Sequence, residues 1–432
     1  MSTVIVIGGG AAGMMAALSA AKDENTVCLI EKNEKLGKKL FITGKGRCNF
    51  TNNCSDAVFF QNIVSNPKFL YSAHAQFDSR AVQEFFSAAG LKIKEERGGR
   101  VFPCSDHSSD VIACLRKMLE RHKVEILLNT RVRKISFSYD KGGAANENGQ
   151  AAPGGGIKVT GVILSDGRTL AADTVIVATG GLSYPATGST GDGLRFAADC
   201  GHGIIEPLPA LAPLIVKEKY CRDLQGLSLK NIAIVLEAQK QVIYAGFGEM
   251  LFTHFGVSGP LILSAASYYT QHMRRHREEE HVYLHIDLKP ALTPGQLGKR
   301  LLRDFEAAAK KQFKNILGGL FPAKLHPLII TLSGIAGDKQ VAQISKAERQ
   351  ALVTLTKDLR LGIAGIRGLN EAIITQGGID VRDINPATME SKIVKNLYFA
   401  GEILDVDALT GGHNLQIAWS SGHLAGKSAG AV

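Results

Sequence analysis

Gly8, Gly10 and Gly13, followed by Glu31 a further 18 residues along, are spaced to grip a dinucleotide. Gly8 permits a tight turn and Gly10 lets the backbone approach a pyrophosphate. Gly13 lets the following helix pack close on a strand, and the helix start at Ala12 faces the phosphates. Glu31 stands where an acid takes a ribose hydroxyl pair. The elements needed to position them can be read from the surrounding residues: VIVIGGGAAGMMAALSAAK is an apolar strand, a glycine turn and an alanine-rich helix, and TVCLIEK is a second strand ending in the acid. An ordinary glycine-rich turn would leave Glu31 unexplained.

The C-terminal segment decides between NAD and FAD. In NLYFAGEILDVDALTGGHNLQIAWSSGHLAG a short strand (397–400) ends in Gly401-Glu402, and Gly411-Gly412 leads into a helix starting near His413-Asn414. An NAD dehydrogenase needs no second glycine-rich strand-to-helix crossing so far from the first. FAD does, because its flavin and adenosine ends lie far apart. An acid after the strand can hold the ribityl chain, and free N–H groups at a helix start can face the flavin N1–C2=O2 edge, where charge gathers on reduction. A third glycine-marked strand (174–178) runs into Ala178, Thr179 and Gly180, with Gly191-Asp192-Gly193 before the next helix. Together these segments predict an FAD protein.

Gly44-Lys45-Gly46-Arg47-Cys48-Asn49 forms a loop whose backbone N–H groups can approach the cofactor, with Arg47 able to pair with pyrophosphate or substrate charge. Cys48 and Cys54 have five residues between them, unlike redox dithiols with four. Cys54 reads as a structural thiol, whereas Cys48 could pass a proton beside a flavin. His281 and His285 lie on one face of a strand without making a metal ligand set, so no metal is expected. His254, in LFTHFGVSGP, is either a turn residue or a contact near the reaction centre. His413, at the last helix start, is a candidate to reach the flavin.

FITGKGRCNFTN (41–52), GGRVFP (98–103), ATGG (178–181) and the GEILDVD…TGGHNLQIAWSSG terminus resemble one bacterial flavoprotein family. It is the aminoacetone-oxidase-like, or bile-acid-oxidoreductase-type, family, which is similar in its FAD fold to fumarate reductase flavoproteins. The resemblance covers nearly the whole chain. It implies an FAD domain interrupted by a β-rich domain and a helical region. Members are linked to aminoacetone oxidation, to reduction of unsaturated bile-acid intermediates and to dihydrouridine formation in large-subunit ribosomal RNA. The resemblance also implies that His254 lies towards the flavin face. An aromatic residue is common in the family where this chain has His413. With the resemblance, the expected cofactor contacts extend to Lys32, Lys39, Val132, Glu402, Asn414, Leu415 and Gln416. Arg100 and Pro103 are either part of this site or a hairpin bend with a surface arginine.

The predicted fold is α/β: an FAD-binding Rossmann-like domain of glutathione-reductase/fumarate-reductase type, with an inserted β-barrel-like module and a helical region. Residues 1–203 and 356–432 are assigned to the FAD domain, 204–292 to the β-rich insert and 293–355 to the helical region. Helices are expected at 79–89 and 108–122, and a strand at 127–138. DKGGAANENGQAAPGGG (140–156) is a polar low-complexity loop expected to be mobile and dispensable. At 432 residues the chain can hold two or three domains. No basic leader, cleavage site or run of about 18 apolar residues is seen, and the seven scattered cysteines suit a reducing compartment, so a cytoplasmic enzyme without membrane attachment is expected.

The net charge is +10, and residues 1–134 carry 20 Lys/Arg against 13 Asp/Glu. One cluster is Lys35, Lys38, Lys39, Lys45 and Arg47; a second runs through Arg116, Lys117, Arg121, Lys123, Arg131, Arg133 and Lys134. It is either a solvated basic face or a track for a polyanion. No recognised nucleic-acid-binding module is visible. FAD is expected to lie extended, with adenosine at 8–31 and flavin between the 41–49 loop and the 411–416 helix start. NADH or NADPH is the expected reductant; with no second GxGxxG, it would enter the substrate site. The leading reaction is reduction of a polarised C=C bond, with uridine in ribosomal RNA as first candidate. A small-molecule amine oxidase using O₂, a reductase of unsaturated steroid intermediates and a flavin-binding scaffold are the alternatives.

Overall fold

The structure is a computed structural model that describes residues 2–21, 25–139, 156–276 and 281–432; the polar loop 140–155 lies outside them. It divides into one unit of residues 1–210 and 369–432 and a second of residues 211–368.

The first unit is built on a five-stranded parallel sheet. The strand order is Leu397–Phe399, Thr174–Val177, Thr3–Ile7, Thr26–Ile30 and Glu125–Leu127. Both faces are covered, so TVIVI, TVCLI and TVIV are almost wholly apolar rather than alternating, and all but their outermost residues are buried. The chain leaves Thr3–Ile7 towards one side of the sheet and returns at Thr174–Val177 on the other. That reversal makes a switch point, where the crevice beyond the strand ends accepts a ligand.

Helix Ala11–Ala20 and the terminal helix His413–Ala429 cross this sheet side by side. Their approach is set by glycine: a Cβ on Gly422 would lie 2.4 Å from the Ala12 carbonyl oxygen, and one on Gly426 would lie 2.2 Å from that of Ala16. Ala12 and Ala16 advance together with Gly422 and Gly426, so the helices run parallel. On this register the terminal helix starts about 12 Å before the first one, at 1.5 Å per residue. One unit therefore holds two offset helix N-termini pointing the same way.

Where a single strand was expected at 127–138, the chain forms Glu125–Leu127 and Val132–Tyr139. A turn intervenes because Asn129 is left-handed (φ +50°) and the Asn129 and Thr130 N–H groups donate to the Asn33 and Glu31 carbonyls. Strand Ile204–Ala210 pairs with Ile374–Ile379 inside this unit.

The second unit is a closed barrel, in the order Leu214–Val216, Gly256–Ser258, Gln241–Thr253, Ser228–Ala238, Val282–Asp287 and Leu359–Ile366. QVIYAGF and EMLFT are one continuous strand. The sixth strand, Leu359–Ile366, comes from residues assigned by sequence to the FAD domain; it closes the barrel by pairing with both Val282–Asp287 and Leu214–Val216. Helix Pro260–Arg275, unforeseen within the β-rich stretch, packs on strand Gln241–Thr253, with Leu261 lying over Gly246 and Gly248. Pro294–Ala307, with a full capping box from Thr293 and Gln296, and Lys346–Lys357 supply the helical region of the same unit. No helix among the described residues is long and apolar enough to cross a membrane.

Candidate functional site

At the switch point the glycine fingerprint takes physical form. Gly8 has φ +106°, and a Cβ there would lie 2.6 Å from the Ala178 carbonyl oxygen. A Cβ on Gly13 would fall 1.8 Å from the Gly8 carbonyl oxygen, so only glycine allows this approach. Gly10 differs: a Cβ there meets nothing within 4 Å. It is the N-cap of the first helix and brings no side-chain cap, so the N–H groups of Ala11, Ala12 and Gly13 face that open space. Thr179 Oγ1 is buried without a partner beside this turn, and Gly180 follows with φ +74°.

Glu31 is buried, and its carboxylate is already engaged. Oε2 accepts from the Gly9 N–H at 2.7 Å; Oε1 accepts from Asn33 N–H at 2.8 Å and Asn33 Nδ2 at 2.7 Å. Val132 is buried and lies just beyond the turn that donates to the Glu31 carbonyl. Lys32 donates to Asp192 at 2.8 Å and to Thr190, and Arg131 donates to the other Asp192 oxygen at 2.7 Å. Burial works against ionisation of Asp192, but the two cations outweigh it and hold its carboxyl at about 2.

The opposite end is assembled from two distant segments. Phe50, Thr51 and Asn52 are each fastened to the C-terminal segment. Trp419 Nε1 donates to the Phe50 carbonyl at 2.8 Å, Thr51 Oγ1 donates to Gln416 Oε1 at 2.6 Å, and Asn52 Nδ2 donates to the Gly411 carbonyl at 2.9 Å. Gly412 has φ +100°, and a Cβ there would strike the Thr51 carbonyl carbon at 2.6 Å and its oxygen at 2.4 Å. The GRCNFTN and TGGHNLQIAW motifs are therefore the two halves of one contact. Asn414 is spent on the Ala408 and Leu409 backbone, and the fully buried Gln416 also donates to Phe77 and Ser420. Leu415 is half-buried. The terminal helix, too, has no side-chain cap, so its first N–H groups remain donors. Between the two ends, Lys39 Nζ lies 2.5 Å from both Glu402 Oε2 and Ser183 Oγ; Gly401 Cα sits beside Ala12.

The loop before Phe50 is left-handed at Gly44, Lys45, Gly46 and Cys48, and Lys45 and Cys48 hold this conformation at some cost in strain. Asn49 Oδ1 is buried without a partner. Arg47, expected to meet phosphate or substrate charge, lies over Phe102 and pairs with Glu96 and Asp106. Those hydrogen bonds raise its pKa. Arg100 is exposed, 3.7 Å from Glu96, on the strand ending at Pro103. Cys48 is wholly buried in the core, where burial pushes its thiol up to about 12. His413 is also buried; burial pushes its imidazole down to about 4, and its Nδ1 has no partner. His254 stands exposed on the hairpin between Gln241–Thr253 and Gly256–Ser258, in the second unit. His285 is held by Asp358 at 2.8 Å. Asn52, Thr51, Ser183 and Thr375 are not singled out by spacing; only their nearness to glycine-bearing motifs points to them.

An open cradle at Gly10, two uncapped helix starts facing one way, and unpartnered Thr179, Asn49 and His413 atoms fit an extended dinucleotide whose ends both seek N–H donors. The class so defined is an FAD-dependent oxidoreductase with a Rossmann-like domain. The family model described as HI0933-like protein Rossmann domain matches residues 2–428, and the chain belongs to that family. It is 32% identical over 432 residues to the 3-dehydro-bile acid delta(4,6)-reductase of Clostridium scindens, covering 99% of each chain. It is 31% identical to the ribosomal RNA dihydrouridine synthase of Haemophilus influenzae, covering 97% of this chain and 96% of that one. Against the Escherichia coli protein of the same name it is 29% identical, with 96% and 95% covered.

Proposed function

We propose that this enzyme reduces a C=C bond conjugated to a carbonyl, and that its substrate is a uridine of large-subunit ribosomal RNA. The names of the bile-acid and ribosomal RNA relatives both describe addition of hydrogen across such a bond. Bound FAD supplies hydride transfer through its N5. The chain's own part is to hold the cofactor at both ends, to keep donors at the Gly412–Leu415 backbone for developing negative charge, and to deliver one proton to the carbon next to the hydride acceptor. Cys48 and His413 are buried neutral groups that suit packing and polarisation. Of the three candidate donors, Cys48, His254 and His413, His254 alone is exposed. NADH or NADPH restores the reduced state.

The observation that favours RNA over a steroid acid carrying one carboxylate is a set of unspent cations. Lys117, Arg121, Lys123, Arg133 and Lys134 are exposed and have no carboxylate within 4 Å among the described residues. Lys117 and Arg121 lie on helix Ser108–Arg121, with Lys123 just beyond its end, and Arg133 and Lys134 lie on strand Val132–Tyr139; the helix is tied to the 41–49 loop by Ser108 Oγ donating to the Phe41 carbonyl at 2.6 Å. Phe41 itself is 49% exposed, with Lys35 Nζ 5.7 Å from its ring centroid, a face on which an unpaired base can stack. Lys39 and Lys38 are less available, being paired with Glu402 and Glu34.

Mass analysis of ribosomal RNA tests this reading. A deletion strain is expected to lose one dihydrouridine, restored by the wild-type gene but not by Gly10→Val. An unchanged dihydrouridine content overturns the RNA assignment. In vitro, removing Lys117, Arg121 and Lys123 together is expected to flatten the slope of log K against log salt by about 0.7–0.9 for each of these cations that meets a phosphate. Rapid-mixing measurements on His254→Ala are expected to show normal flavin reduction by NAD(P)H and slow reoxidation by substrate. An amine that reduces the flavin, with peroxide formed on reoxidation, would instead mark an oxidase.

A further inference from the structure

We propose that Asn52 is a positioning residue that aims the Gly412 N–H, and thereby the terminal-helix N-terminus, at the flavin. Asn52 is buried, and its Nδ2 donates both hydrogens: to the Gly98 carbonyl at 3.0 Å and to the Gly411 carbonyl at 2.9 Å. Its Oδ1 faces Gly99, where a Cβ would lie 2.6 Å away, and the next residue, Asn53, donates its N–H to the Gly99 carbonyl at 2.6 Å. One side-chain amide thus bridges two diglycine turns that are 313 positions apart by residue number. All four glycines are left-handed or close to it, with φ +81° and +69° at Gly98 and Gly99 and +124° and +100° at Gly411 and Gly412. Such turns have no intrinsic preference that would fix their peptide planes.

The consequence follows from peptide geometry. In a trans peptide the C=O and the following N–H point in opposite directions. Asn52 holds the Gly411 C=O, so the Gly412 N–H is turned the other way, where it has no acceptor among the described residues. It joins the uncapped N–H groups of His413, Asn414 and Leu415 as a fixed set of donors. Donors fixed before reaction favour a group that gains negative charge on reduction. This inference rests on the reading that the flavin N1–C2=O2 edge faces Gly412–Leu415.

The test measures the midpoint potential of bound FAD, together with FAD affinity from titration of the apoprotein. Asn52→Ala is expected to disfavour reduced flavin about tenfold, a drop of about 30 mV for a two-electron couple. Asp78→Ala removes the cap of helix Ser79–Ala88, donated to by Ala81 N–H, and is expected to lower the melting temperature without moving the potential. An unchanged potential in Asn52→Ala, or an equal shift in Asp78→Ala, overturns the proposal. Should Asn52→Ala not fold, Asn52→Leu gives the same answer, because it keeps the approximate shape, adds no charge and cannot donate to Gly411. Gly412→Ala separates the placement of the flavin from the role of Asn52. If that variant keeps wild-type potential and affinity, the flavin edge lies elsewhere and the placement falls. If it moves the potential while Asn52→Ala does not, the role of Asn52 falls.

Discussion

In the FAD placement we propose, with adenosine at Gly8–Glu31 and the flavin at Gly412–Leu415, the two ends of the cradle solve the same problem with opposite economies of sequence. At the adenosine end, Gly8, Gly10, Gly13 and Glu31 are drawn from one strand–helix–strand unit, and local chain geometry alone brings them together. At the flavin end, residues 49–52, 98–99 and 411–416 have to be gathered from across the chain, and side-chain hydrogen bonds from Thr51, Asn52 and Trp419 hold them. The difference teaches what to expect of mutations. A change at the first end acts on a preformed turn. A change at the second end acts on an assembly whose parts are fixed only by one another, so its effects spread into flavin chemistry as well as stability.

The largest expected effects sharpen the first half of that contrast. Gly10→Val and Gly13→Ala sit three residues apart in one motif, yet they should fail differently. A side chain at residue 10 enters open space, so the apoprotein should melt near the wild-type temperature and contain no FAD. A Cβ at residue 13 meets the Gly8 carbonyl at 1.8 Å, so that variant should lose about 1–3 kcal/mol of stability or more before cofactor is considered. Visible flavin absorbance and thermal unfolding distinguish them. A yellow Gly10→Val protein, or Gly13→Ala melting as wild type, would break the local picture.

The same contrast explains how much can be read from sequence. Four of the five parallel strands and the first helix announce themselves because apolar runs and glycine spacing are short-range signals, and Gly8 to Glu31 fits within one βαβ unit; the fifth strand, Glu125–Leu127, is short and runs without a sequence break signal into the turn before Val132–Tyr139. Leu359–Ile366 is not recognisable as a barrel strand because nothing in LRLGIAGI says which edge it closes; its partners, Val282–Asp287 and Leu214–Val216, lie far back in the chain. Asn52 is hidden for the same reason. Its chemistry lies in two glycine carbonyls that only folding brings within 3 Å. The Gly422/Gly426 stripe facing Ala12 and Ala16 is present in both helices, yet it acquires meaning only as a pair.

An intermediate effect tests the flavin end through pH. His413 ionises at about 4 when folded, because burial opposes its charge, against about 6.5 when exposed. The unfolded chain therefore binds an extra proton between these values, so this residue makes stability fall as pH drops from about 6.5 to about 4 and leaves it unaffected above that window. The full difference is about 3 kcal/mol. His413→Phe, which retains a ring at the helix start, should lose less stability than wild type between pH 7 and pH 4. Denaturant titrations at both pH values measure the difference. Parallel losses in the two proteins would show that His413 is hydrated and that this end is more open than its packing against Phe59 indicates.

The smallest effect concerns Glu31, where the two roles of one carboxylate can be separated. Its oxygens already receive three N–H donors, from Gly9 and Asn33, in addition to any hydroxyl of a bound ribose. Glu31→Gln keeps the shape but places an amide N–H against one of those donors and removes the charge that strengthens the rest. Replacing charge-assisted bonds in this way costs about 1–3 kcal/mol. That cost should be divided between apoprotein stability, through the Gly9 and Asn33 contacts, and FAD affinity, through the ribose. Calorimetric FAD titration and apoprotein unfolding measure the two shares independently. If only affinity falls, the Gly9–Glu31 bond contributes nothing to the preformed turn, and the adenosine end is organised by the ligand. If only stability falls, Glu31 is a structural acid and the ribose is held elsewhere. A loss in both is the outcome expected of a turn whose geometry is set before FAD arrives.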